Sequence, residues 1–167
     1  MGVDAVKGLF RERVSDRLLQ KKNIFYALLL SITILGAIPS FISNISSFPA
    51  IIFILGLPLT TVNSCCEEIL WRGTYIHMFA KNRVMAILFP TLFFALWHIS
   101  PQLVNLNINF ETIYFLPIMT LPLGLVYGIV AYRTNSIKWV AIAHSLSGIL
   151  SYGLPLSISL AEILQLM

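Results

Sequence analysis

Charge is scarce in this chain. Of its 167 residues only 11% are charged and 57% are hydrophobic, whereas soluble domains carry about 25% charged residues. That shortage excludes a soluble globular fold of this size, because surface area does not shrink fast enough to hide so much apolar side chain. Aspartate is scarcer still. Asp4 and Asp16 are the only two and both lie in the first 22 residues, which excludes an aspartyl dyad inside a membrane. The two cysteines, Cys65 and Cys66, are adjacent, with no CxxC and no Cys/His pair nearby. They read as small apolar packing residues rather than a bridge or a structural metal site. There is no HExxH for a zincin and no GxSxG for a serine nucleophile. Lysine and arginine are absent from 43–48 and from 101–111.

What remains is a succession of apolar segments. They cover 23–42, 49–80, 84–100, 112–132, 137–153 and a short last stretch at 154–167. A spanning helix needs about 20 apolar residues. The sequence therefore predicts an all-α, polytopic membrane protein with about five to six transmembrane helices. Pro58 and a polar patch from Thr60 to Ser64 are expected to interrupt the second segment, which is too long for one straight span. Pro117 and Pro122 are expected to bend the fourth. The first apolar run is long enough to cross and lacks a small-residue cleavage site, so it reads as a span and not as a signal peptide.

The formal charge is +4, but six of the eleven basic residues lie in 1–22. Such a flank meets anionic lipid headgroups, not nucleic acid. Val6, Phe10, Val14 and Leu18 recur every fourth residue there, the pattern of an amphipathic helix on the membrane surface; a solvated tail is the other reading. The organisation expected is a basic tail at 1–22 and a helical membrane domain at 23–167. The remaining basic residues cluster at alternate turns, with Lys81 and Arg83 in one and Arg133 and Lys138 in another. This alternation predicts a cytoplasmic N-terminus and five crossings, most simply of the cell membrane.

Ionisable residues inside a membrane are expensive and mark function. Those within the spans are Glu67, Glu68, Arg72, His98 and His144; Glu162 is placed at the interface and His77 at the headgroups. Glu68 and Arg72 stand four apart on one helix, the spacing of an ion pair. Glu67 then points about a hundred degrees away with no charged partner on its helix, as suits a general base. Glu67 precedes Lys81 by 14 residues and His98 follows Val84 by 14. At about 1.5 Å per residue both lie about 21 Å from their shared turn, at one level. His144 is only six residues past Lys138, about 9 Å by the same rise, which is a mismatch. The bland reading is that these groups only glue helices together.

The run Glu67-Glu68-Ile-Leu-Trp-Arg72 resembles the EExxxR motif of the type II CAAX-prenyl-protease and bacteriocin-processing family of intramembrane proteases, also called CPBP or Abi. Phe94-Ala-Leu-Trp-His98 is similar to its FxxxH motif. Its HxxxN motif is matched by His144 alone, with Gly148 in place of Asn. The resemblance covers about 50–153. It implies that Glu67 and His98 activate a water, and that His144, with the residue at 148, stabilises the oxyanion. Glu68 and Arg72 are supporting residues. Many members of the family are labelled metalloproteases, so zinc on Glu67, His98 and His144 stays open beside a metal-free glutamate mechanism.

The function expected is an intramembrane endopeptidase that cleaves a membrane-associated or prenylated peptide. The alternative is a catalytically inactive relative acting as an immunity factor or membrane scaffold; a small transporter or channel subunit is a third reading. The expected partners are a peptide or protein substrate and the lipid bilayer, with no nucleic acid. To stand in for the missing amide at 148, Asn63 ranks first, since it lies one turn from Glu67; Ser147 and Ser151 follow.

Overall fold

The computed structural model describes residues 2–13, 17–45, 50–100, 103 and 110–151. Every element among them is helical. The long helices are α2 (Ile24–Ile45), α3 (Ala50–Glu68), α5 (Phe89–Trp97), α6 (Phe110–Thr134) and α7 (Lys138–Ser151). The short ones are α1 (Val3–Leu9) and α4 (Tyr75–Met78). The segment 154–167 with Glu162, and most of the loops at 43–48 and 101–111, lie outside the described residues.

Among the described residues two helices, fewer than the five to six expected, are long and apolar enough to cross a membrane, Lys21–Ser43 and Ile113–Thr134; Val84–Trp97 is apolar but shorter. Their outward faces carry Phe25, Leu28, Ile32, Leu35 and Ile42 on α2, Leu92, Phe93 and Leu96 on α5, and Phe115 and Ile118 on α6, all exposed. Soluble monomers do not leave apolar faces this extensive open to water. The protein is a helical membrane protein.

The second segment is not interrupted where proline and polar residues stand. α3 runs through Pro58 and the Thr60–Ser64 patch to Glu68. It then widens into π-type turns over Ile69–Thr74 before α4. Such widenings recur at functional sites, because they rotate the following turn relative to the preceding one. Thr74 Oγ1 donates to the Ile69 carbonyl at 3.1 Å and steadies the wide turn. The next helix starts at a side-chain cap, where Asn82 Oδ1 accepts the Met85 N–H at 3.2 Å and so satisfies a first-turn donor. It too begins with wide turns, over Val84–Leu88. Asn135, at φ 49°, makes the turn between α6 and α7, a left-handed conformation that Asn tolerates better than most residues.

α7 packs against α2 and α3, and α6 packs against α5. The core joins Tyr127, Val130 and Ala131 of α6 to Ile137, Val140 and Ala143 at and beyond the following turn. That turn is itself buried, with Thr134, Ser136 and Ile137 at most 3% exposed. What covers it is the N-terminal segment. α1 ends at Leu9, and Leu9 and Leu18 are both core residues. Ile137 N–H donates to the Leu9 carbonyl at 2.9 Å. A Cβ on Gly73 would come within 2.6 Å of Leu9 Cδ1, so the seat for Leu9 exists because position 73 has no side chain. The described apolar positions of the tail thus pack partly on protein. Leu9 lies off the four-residue stripe, and of the stripe itself Leu18 is fully buried while Phe10 is half-buried; Val14 lies outside the described residues.

This cap removes the depth mismatch of His144. Counting from Lys138 assumed a turn at the membrane surface. The turn is buried under the N-terminal segment, and His144 stands against Glu67 and Glu68.

Candidate active site

α3 carries the site along one stripe. Glu68 and Arg72 are fully buried, and Arg72 Nη1 donates to Glu68 Oε1 at 2.9 Å. The guanidinium also lies 4.1 Å from the centre of the Phe94 ring, a cation–π contact that matters more where water is excluded. Its Nη2 is 3.4 Å from the Gly124 carbonyl. A Cβ at Gly124 would sit 3.3 Å from that same nitrogen, so a glycine at 124 lets α6 approach the charge. A buried charge of this kind is tolerated only when paired and hydrogen-bonded.

Glu68 serves a second partner. His144 Nδ1 lies 2.8 Å from Glu68 Oε1. The carboxylate accepts, so Nδ1 carries the proton and the ring orientation is fixed, as a carboxylate fixes a ligand or catalytic imidazole elsewhere. The other nitrogen, Nε2, lies 3.7 Å from Glu67 Oε2. That distance is beyond a hydrogen bond. Tyr127 braces the backbone beneath. Its hydroxyl is 3.1 Å from Ser147 Oγ, and Ser147 Oγ is 3.1 Å from the His144 carbonyl.

Glu67 is only partly enclosed, its side chain 15% exposed like that of His144. It does have a partner on its own helix: Asn63 Nδ2 donates to Glu67 Oε1 at 3.0 Å. One carboxylate oxygen is held and the other faces His144.

His98 stands at the end of α5, where Phe94 O accepts from Nδ1 at 2.8 Å. This bond fixes the tautomer with Nδ1 protonated and leaves Nε2 with its lone pair, the form that accepts a proton. Glu67, His144 and Arg72 are close enough to act on His98 electrostatically. His98 also packs edge-on against Phe94, with ring centres 4.6 Å apart, and His144 packs on the same ring at 5.8 Å.

The structure therefore brings Glu67, Glu68, Arg72, His144 and Asn63 into direct contact, with His98 joined to them through Phe94. His77 is exposed and lines a shallow cavity with Arg11, Glu12 and Asn135, apart from this cluster. Sequence reasoning named Phe94 in the FxxxH-like run but gave it no role; its ring touches Arg72, His98 and His144 together. The signal was its i,i+4 spacing to His98, readable as a tautomer-setting bond. Tyr127 carried no signal, because a tyrosine in an apolar run looks like any core aromatic.

Among the described residues no group of three or more His, Cys, Asp or Glu side chains is arranged to hold a metal ion. The donors are otherwise engaged: Glu68 Oε1 with Arg72 and His144, Glu67 Oε1 with Asn63. Glu67, His98 and His144 are not gathered into such a group.

A family model described as type II CAAX prenyl endopeptidase Rce1-like matches residues 47–150. No curated protein and no solved structure matches.

Proposed function

The chain belongs to the Rce1-like family of type II CAAX prenyl endopeptidases, and from that premise we propose that it hydrolyses a peptide bond of a membrane-associated or prenylated substrate with a water activated by Glu67 and His98. The family is a family of proteases, so the reaction class is hydrolysis. One observation carries the finer reading: the two adjacent glutamates have been given different work. Glu68 is fully buried and shares its Oε1 between Arg72 and His144, while Glu67 is partly exposed and keeps one oxygen facing His144.

The chemistry follows from those positions. A water between the Glu67 carboxylate and the His98 Nε2 lone pair is oriented by both. Glu67 takes its proton as the oxygen attacks the scissile carbonyl. Negative charge then develops on the carbonyl oxygen, and His144, as an imidazolium with its Nδ1–H on Glu68, donates its Nε2–H to that oxyanion in a site of low dielectric. As the C–N bond breaks, the proton on Glu67 passes to the leaving amine. Arg72 holds Glu68 in place, and Asn63 keeps Glu67 from rotating.

The test is a panel of peptides on the purified full chain in proteoliposomes: a quenched fluorogenic peptide ending in a farnesylated CAAX sequence, a leader-type peptide and an unprenylated control. Cleavage is expected for a membrane-associated peptide, unchanged by exhaustive chelation. Loss to chelator with recovery on added zinc would overturn the metal-free mechanism and make Glu67, His98 and His144 ligands. Gly148 favours one other reading, a catalytically inactive relative acting as an immunity factor or scaffold. A folded chain that cleaves none of these peptides selects it.

The same reading places five crossings, with 154–167 as a partial sixth, in the cell membrane and with the N-terminus cytoplasmic. Its support is the confinement of Lys and Arg to alternate turns. A single cysteine placed at Asn107, with Cys65 and Cys66 replaced by serine, is expected to react with an impermeant reagent from outside only. Labelling from the cytoplasmic side would sink that topology.

A further inference from the structure

The family motif places an amide four residues after His144, and this chain has Gly148 there. The neighbours able to replace it are already committed in part. Asn63 donates its amide to Glu67, and Ser147 lies between Tyr127 and the His144 carbonyl. The structure shows what stands opposite the bare backbone. A Cβ built on Gly148 would meet Thr60 Cγ2 at 3.1 Å and Ser64 Oγ at 3.5 Å. Thr60 and Ser64, one turn apart on α3, thus fill the volume into which a side chain at 148 would grow.

Both residues are buried, Thr60 at 6% and Ser64 at 2% exposed. Thr60 Oγ1 has no hydrogen-bond partner, which is unusual for a buried hydroxyl. Helical threonines normally discharge this cost by donating to the carbonyl four residues back. Thr61, Thr120 and Thr134 do so here, to Leu57, Leu116 and Val130. Thr60 does not, although it stands on the same helix as Thr61. Thr60 thus sets its methyl against Gly148 and keeps an unused buried hydroxyl, about two turns before Glu67 and Glu68 on the same helix.

Resting on the protease reading above, we infer that the hydroxyls of Thr60 and Ser64 take over, from α3, the oxyanion-binding role that the family motif gives to an amide at 148 on α7. Gly148 is then the complement of these two residues and not a sign of decay: its missing side chain leaves room for theirs and for the substrate oxygen. The donors contact the reacting carbonyl oxygen together with His144.

The experiment measures kcat and KM for the farnesylated fluorogenic peptide in proteoliposomes, with detergent melting temperatures alongside. Thr60→Val/Ser64→Ala keeps the packing volume nearly constant and removes both hydroxyls. It is expected to lower kcat by about 10²–10³, the scale for one lost oxyanion donor, with KM changed far less. Gly148→Asn in otherwise unchanged protein is expected to lower activity, because Thr60 Cγ2 crowds the new Cβ. In a Thr60→Ala/Ser64→Ala background the same Gly148→Asn change is expected to raise kcat at least about tenfold, since the cleared space admits the amide. If the double variants melt early, Ser64→Ala and Thr60→Val are read singly at unchanged melting temperature, and each is expected to lower kcat. Full kcat in Thr60→Val/Ser64→Ala, or no gain from Gly148→Asn once the space is open, overturns the inference and leaves the protease reading standing. An unchanged chain that cleaves no peptide overturns both.

Discussion

Glu67→Ala and His98→Ala are expected to abolish peptide hydrolysis while leaving expression and melting nearly unchanged. A positioned general base contributes about 10²–10⁴ in rate, and without it the water has neither a proton acceptor nor a fixed orientation. Stability should hold because Glu67 is not fully buried and is not the partner of Arg72; removing it strands no charge. Asn63 loses only a partner that is exposed with it. His98→Ala likewise removes a polar ring at a helix end, where the Phe94 carbonyl can return to backbone or water. Assay of each variant with the fluorogenic farnesylated peptide, alongside a detergent melting curve, checks both halves of the expectation. Full activity in Glu67→Ala would remove Glu67 from the chemistry.

The opposite signature is expected at Arg72. Arg72→Ala should cost about 3–5 kcal/mol of stability, the range for breaking one side of a buried ion pair, and activity with it. The loss comes from what remains behind. Glu68 would stay fully buried with its hydrogen bond to His144 but without the cation beside it, and the Phe94 ring would face a cavity in place of the guanidinium. Arg72→Met/Glu68→Gln fills that space and removes the charge, so it should melt above Arg72→Ala although it has lost the pair. Equal melting of the two variants would show that the stranded carboxylate is not the source of the destabilisation.

Much of this arrangement could be read from the sequence because a membrane punishes exceptions. In an apolar background Glu67, Glu68, Arg72, His98 and His144 stand out, and helical spacing alone predicts the Glu68–Arg72 pair that the structure contains. The helix limits were readable for the same reason: lysine and arginine mark turns, and the described helices fall within two or three residues of the apolar segments wherever the two can be compared. What could not be read depends on packing between distant elements. The depth of His144 followed from a buried turn at 134–137, and nothing local distinguishes a buried turn from one at the surface. The wide turns at Ile69–Thr74 have no sequence rule, since they answer to contacts on α5 and α6. Pro58 was misleading because a proline within a helix removes one donor and displaces one carbonyl, a disturbance that neighbouring helices can absorb in a membrane protein. The Thr60–Gly148 fit required two helices in register, which no spacing within either helix reveals.

The bond between Ile137 and Leu9 has a consequence for the order in which the molecule is made. Leu9 leaves the ribosome long before Ile137 exists, and until then its carbonyl lacks the Ile137 donor, although Gly73, beside its side chain, is made earlier. Local hairpins close early because their loops are short, whereas a contact between residues so far apart waits for the elements between them. The segment synthesised first is therefore the segment that docks last. A nascent chain stopped short of Ile137 presents Leu9 and Leu18 unprotected to proteases on that side of the membrane, and a finished chain hides them. The bond between Leu9 and Ile137 thus forms only after the turn at 134–137 has been made.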